Sequence, residues 1–72
     1  MNIGDMLHSE RIKRNLTQEE ISRKMSISQG TYSRIERGIQ EPSFYHLLQF
    51  RIHLNISIDD YIDYLAKKNH RA

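Results

Sequence analysis

The sequence predicts an all-α fold, a compact five-helix bundle of one domain, and three observations carry that prediction. Five capping side chains, Asn2, Thr17, Ser28, Ser43 and Ser57, each stand just before a stretch with apolar residues at helical spacing. No stretch alternates cleanly between apolar and polar residues, and the dipeptides that make tight hairpins are missing. The segments between the helical stretches are short, as in compact helical domains.

Asn2 caps the first helix, and Asp5 falls in its opening turn. Ile3, Met6 and Leu7 share one face, and Asn15 ends the helix because Asn tolerates the left-handed backbone. Thr17 caps the second helix and Glu20 follows three residues later, a capping box, with Leu16 and Ile21 as a hydrophobic staple. Ile21 and Met25 lie one turn apart and point inward, and Ser22 is small enough for the second and third helices to cross closely. Ser28 caps the third helix, with Ile27 and Tyr32 as the staple and Gly38 as the stop. Pro42 bars helix immediately before it, so Ser43 opens the fourth. There Phe44, Leu47, Leu48 and Ile52 form the expected buried stripe, and Asn55 is the stop. Ser57 caps the fifth helix, with Asp60 three residues on, Ile56 and Tyr61 as the staple, and Ile58, Tyr61, Ile62 and Leu65 as its stripe. Residues 1–66 make the domain, and residues 67–72 a basic tail.

A chain of 72 residues supports one modest core. It has no cysteine, which excludes disulfides and a thiolate metal site. None of His8, His46, His53 and His70 has close ligand spacing with an acid, so no metal or other cofactor is expected. No glycine-rich phosphate loop or nucleophile motif occurs, and Asp59, Asp60 and Asp63 sit where acids favour a helix start, so no enzyme is expected. No apolar run approaches a membrane span, no secretion signal opens the chain, and no small-molecule ligand is evident; the expected location is the cytoplasm. The net charge of +2 is unevenly spread. Residues 11–37 hold seven basic residues against three acids, residues 38–66 hold Arg51 against four acids, and the tail adds three basic residues. A polyanion meets the first block favourably and the second poorly, although solvated helices also carry such runs.

The third helix is the informative one. Advancing about 100° per residue from Gln29 puts Thr31, Ile35 and Tyr32 on the buried side, near 200°, 240° and 300°. Gln29, Ser33, Arg37, Gly30 and Arg34 spread over roughly 0–140° on the other side, with no acid among them. Arg can donate two bonds to guanine O6 and N7, and Gln can pair with adenine N6 and N7. Ser bonds either way, Gly30 removes bulk near the helix N-terminus, and that terminus favours a phosphate. The same face also suits an ordinary solvated helix.

Together, "LTQEEISRKMSISQGTYSRIERG", "PSFYHLLQF", "LNISIDDYI" and "IGDMLHSERIKRN" resemble the helix-turn-helix regulators of the lambda repressor and Cro group, from Ile3 to Ile62 without a gap. The resemblance implies the lambda-repressor-like DNA-binding fold, with the helix-turn-helix motif at about 18–37 and the third helix in the major groove. It implies that Gln18 contacts phosphate and buttresses the third helix, and that Gln29 touches base edges. It implies that Ser33 and Arg34 face bases or backbone, that Arg37 and the following turn contact the backbone, and that Arg11 and Glu36 form a salt bridge with Arg11 near a phosphate. The sequence departs from the family pattern at Gly30, where a reading side chain is common, and at Ser26, which replaces the usual turn glycine. Glu10, Arg51 and His53 replace apolar or small residues.

The expected function is sequence-specific binding of double-stranded DNA in transcription control, as a homodimer on a palindromic site, with Tyr61, Tyr64 and Leu65 as the pairing surface. The alternatives are a protein-interaction or antitoxin-like module, or the DNA-binding half of a larger regulator. RNA or single-strand binding is disfavoured because no aromatic platform lies on the basic face.

Overall fold

A computed structural model describes residues 2–69, without the side chains of Tyr64, Lys68 and Asn69. The last part of the basic tail, His70 to Ala72, lies outside the described residues. Five helices follow one another: α1 (Ile3–Lys13), α2 (Gln18–Lys24), α3 (Gln29–Glu36), α4 (Phe44–Leu54) and α5 (Ile58–Asn69). There is no strand among the described residues. α5 runs on past Ala66, so Lys67 belongs to a helix.

The caps form as local chemistry dictates. Asn2 accepts from the Asp5 N–H at 2.9 Å, Thr17 and Glu20 close their reciprocal box, and Ser28 accepts from the Thr31 N–H at 3.1 Å. Ser43 has a box that the sequence did not announce: His46 Nδ1, in the place of the usual acid, accepts the Ser43 N–H at 3.0 Å. Every link between helices contains a residue at positive φ, namely Asn15 (56°), Ser26 (55°), Gly38 (80°) and Asn55 (55°). At the first three of these the N–H of the left-handed residue and the next N–H both reach back to the helix end, in the Schellman arrangement. Ser26 adopts a left-handed conformation that favours glycine, and without the local side-chain bonds that make it cheaper for Asn.

The core is Ile3, Leu7, Ile21, Met25, Ile27, Tyr32, Ile35, Phe50, Leu54, Ile56 and Tyr61, with Met6, Leu16, Leu47 and Leu65 packed half-buried around it. α1 lies directly on α3. A Cβ at Gly4 would collide with the carbonyl oxygen of Glu36, so only glycine permits this approach. Ser22 is buried, as its size suggested, and donates to the Glu19 carbonyl. Glu10 turns to Lys13 and Arg14, at 3.1 and 2.7 Å, and Arg51 stays exposed at the surface.

The expected stripe on α4 is wrong in orientation. Phe44 and Ile52 are each 69% exposed, whereas Phe50 and Leu54 are fully buried. The Phe50 and Tyr32 rings meet in a T-shaped contact with centres 6.4 Å apart, and His46 stacks with Phe50. On α5, Ile62 also faces out, and Tyr61 is only 4% exposed. The Tyr61 hydroxyl donates to Glu41 at 2.8 Å. Tyr61 therefore belongs to the core and offers no pairing surface; Leu65 is half-buried, and the side chain of Tyr64 lies outside the described residues.

Candidate nucleic-acid interface

Two anchors hold α3. Tyr32 and Ile35 insert into the core, both fully buried. The second anchor is polar and centres on Glu36, whose side chain is 6% exposed. Arg11 donates to it twice, Nε to Oε2 at 2.9 Å and Nη2 to Oε1 at 3.0 Å, a two-pronged pair. Tyr32 donates its hydroxyl to Oε2 at 2.7 Å, and Gln18 donates Nε2 to Oε1 at 3.0 Å. His8 Nδ1 lies 3.3 Å from both Glu36 Oε1 and Arg11 Nη2. The third arm of Arg11, Nη1, donates to the Leu16 carbonyl at 2.8 Å. One carboxylate thus joins the first three helices at the end of α3.

The electrostatics follow from that crowd of donors. Burial pushes the Glu36 carboxyl up, but the bonds from Arg11, Tyr32, Gln18 and His8 outweigh it and hold the carboxyl at about 2. Burial and the neighbouring carboxylate push the Tyr32 phenol well above its ordinary value, so it stays a donor. The bonds to Glu36 likewise hold Arg11 firmly protonated against the cost of its burial.

With Glu36 turned inward, the outward side of α3 is left without an acid. Gln29, Gly30, Arg34 and Arg37 are exposed there, and Ser33 is half-buried beside them. Gln18 stands at the first turn of α2, half-exposed, with its amide nitrogen on Glu36. The helical-wheel assignment therefore matches at Gln29, Gly30, Arg34 and Arg37 on the outside, while Ser33 is intermediate. Thr31, assigned to the buried side, is half-buried and takes part in the surface: its Oγ1 accepts from the Ser28 hydroxyl at 2.9 Å and from Arg34 Nη2 at 3.3 Å.

Arg11 is set apart from this group. It is only 9% exposed and commits all three guanidinium nitrogens to Glu36 and Leu16. Sequence reasoning missed Gln40, which accepts from Arg34 Nε at 2.9 Å across the turn after α3. Its separation from the helix hid it. Reasoning from motifs also missed Gly4, whose value lies in a backbone contact with a residue 32 positions away. No group of histidines and acids able to hold a metal occurs among the described residues, and none of the described helices is long and apolar enough to cross a membrane.

A family model described as helix-turn-helix matches residues 7–61. Neither a curated protein nor a solved structure gives a significant match. The matched span covers α2 and α3 with the turn between them, and it takes in the Arg11–Glu36 anchor and the exposed polar face. By this match over most of its length and by its five-helix fold, the chain belongs to the lambda-repressor-like helix-turn-helix family of DNA-binding regulatory domains.

Proposed function

We propose that the protein is a sequence-specific regulator of transcription that lays α3 in the major groove of double-stranded DNA. The inward turn of Glu36 is the observation that carries this reading. It converts the one acid of α3 into an internal brace and leaves outside only groups that a polyanion tolerates. Gln29, Ser33 and Arg34 read base edges, with Gly30 between them allowing close approach. Gln18 and Arg37 contact the backbone and set the register. Arg11 acts mainly from behind, by fixing Glu36. The helix-turn-helix unit spans about 18–37 in a domain that continues to the end of α5 at Asn69, and the site of action is the cytoplasm.

The functional form is a homodimer on a palindromic site, with half-sites about one turn, roughly 34 Å, apart. Phe44, Leu48 and Ile52 follow one another at four-residue spacing on α4; Phe44 and Ile52 are exposed, and so is Ile62 on α5. This apolar face, in place of Tyr61, is the pairing surface for a second copy. Phe44→Asp should then shift the sedimenting species from dimer to monomer at micromolar concentration with the helical circular dichroism unchanged; a wild-type protein that stays monomeric with and without DNA contradicts the pairing.

Selection of bound sites from a random duplex library supplies the site for testing the reading itself. Arg34→Ala should cost about 1–3 kcal/mol on that site and relax the preference at one position. Gln18→Ala should weaken selected and random duplex alike. Equal losses on both duplexes for both variants would contradict the division into reading and positioning residues.

A further inference from the structure

Arg34 is held by its neighbours before any partner arrives. Its Nε donates to Gln40 Oε1 at 2.9 Å, and its Nη2 to Thr31 Oγ1 at 3.3 Å. The guanidinium lies back over the first turn of α3, where a Cβ on Gly30 would already touch Nη1 at 3.4 Å. A longer side chain at position 30 would occupy the space that the guanidinium uses. The Arg34 head thus fills the space that Gly30 leaves open.

The placement of Gln40 is equally determined. Gly38, at φ 80°, turns the chain back so that the Ile39 and Gln40 N–H groups both donate to the Arg34 carbonyl, at 2.8 and 3.3 Å. The residue that grips the Arg34 side chain is therefore fastened to the Arg34 backbone as well. Gln40 is half-buried, which limits the other positions open to its amide.

We infer that Gln40 is a specificity-determining positioning residue, which aims Arg34 at a base with two adjacent acceptors. This rests on the reading that Arg34 meets a base edge. A guanidinium has five N–H bonds. Gln40 takes the one on Nε and Thr31 takes one on Nη2, leaving both on Nη1 and one on Nη2. The end of the fork stays open, and its paired donors suit guanine O6 and N7. A long side chain already fixed in this way loses less freedom on binding and is less able to swing to a neighbouring base or phosphate.

The test compares wild type, Arg34→Ala, Gln40→Ala and Gln40→Glu on the selected duplex and on random duplex, with helical content checked by circular dichroism. Gln40→Ala should lower the preference for the selected site by roughly 3- to 10-fold, the scale of one hydrogen bond, with little change on random duplex. Gln40→Glu keeps the acceptor; its charge weakens both duplexes alike, so the preference should survive. An unchanged preference in Gln40→Ala, or equal losses on both duplexes, overturns the inference while Arg34→Ala still collapses the preference. If Arg34→Ala leaves the preference intact, the reading of Arg34 itself has failed.

Discussion

Replacing Glu36 by Gln keeps the shape of the side chain and removes its charge. The amide offers one acceptor oxygen where the carboxylate offered two, and it turns an NH2 group toward donors already present. Arg11, 9% exposed and paired twice with Glu36, then keeps a buried charge that faces only neutral acceptors, the amide oxygen and the Leu16 carbonyl. Breaking a buried pair on one side costs about 3–5 kcal/mol. The Glu36 carboxyl, held at about 2 by the bonds from Arg11, Tyr32, Gln18 and His8, points in the same direction. A domain of 72 residues has a total stability of roughly 4–11 kcal/mol, so the variant should be severely weakened. Urea unfolding followed by circular dichroism should show the midpoint falling by about 3–5 M, given a slope near 1 kcal/mol/M for so small a protein. The effect also has a required pH dependence. The folded carboxyl is more acidic than the unfolded one, so its contribution is complete above the unfolded value of 4.5 and is lost as the pH falls through about 2. The gap between wild type and Glu36→Gln should therefore shrink between pH 5 and pH 2. A gap below about 1 kcal/mol at pH 7, or one that does not change over that interval, would refute the brace.

Two further substitutions test the backbone that carries the site. Gly4→Ala should destabilise by about 1–3 kcal/mol and also weaken DNA binding, because the new Cβ must push α1 away from the Glu36 carbonyl and so loosen Arg11; denaturant midpoints and a duplex titration check both. Ser26→Gly should stabilise by roughly 0.5–1 kcal/mol, since φ at this position is 55° and glycine adopts it without strain; a lower midpoint than wild type would contradict this.

The parts of the structure that were legible in the sequence are those decided locally. A cap needs one side chain and the next turn, so Asn2, Thr17, Ser28 and Ser43 mark their helices without help from the fold. The outward face of α3 was legible because only three of its residues are apolar or β-branched enough to set a buried side. α4 was not, because it is apolar on two sides. Phe44, Leu48 and Ile52 form one acceptable stripe, and Leu47, Phe50 and Leu54 form another. Spacing does not choose between them; the position of Tyr32 in the core does, since Phe50 packs against its ring. The same ambiguity put Tyr61 on a pairing surface when its ring fills the core. Within the site, the Arg11–Glu36 pair came from resemblance, and Gln40 and Gly4 were invisible because their roles depend on how the turn after α3 and the start of α1 fold back on α3.

Backbone amide shifts recorded during titration with the selected duplex test the placement of α3 most directly. The largest changes should fall on Gln29, Gly30, Ser33, Arg34 and Arg37, with Gln18 beside them, and those of α5 should be small. Shifts concentrated on α4 and α5, with α3 silent, would contradict the placement of α3 in the groove.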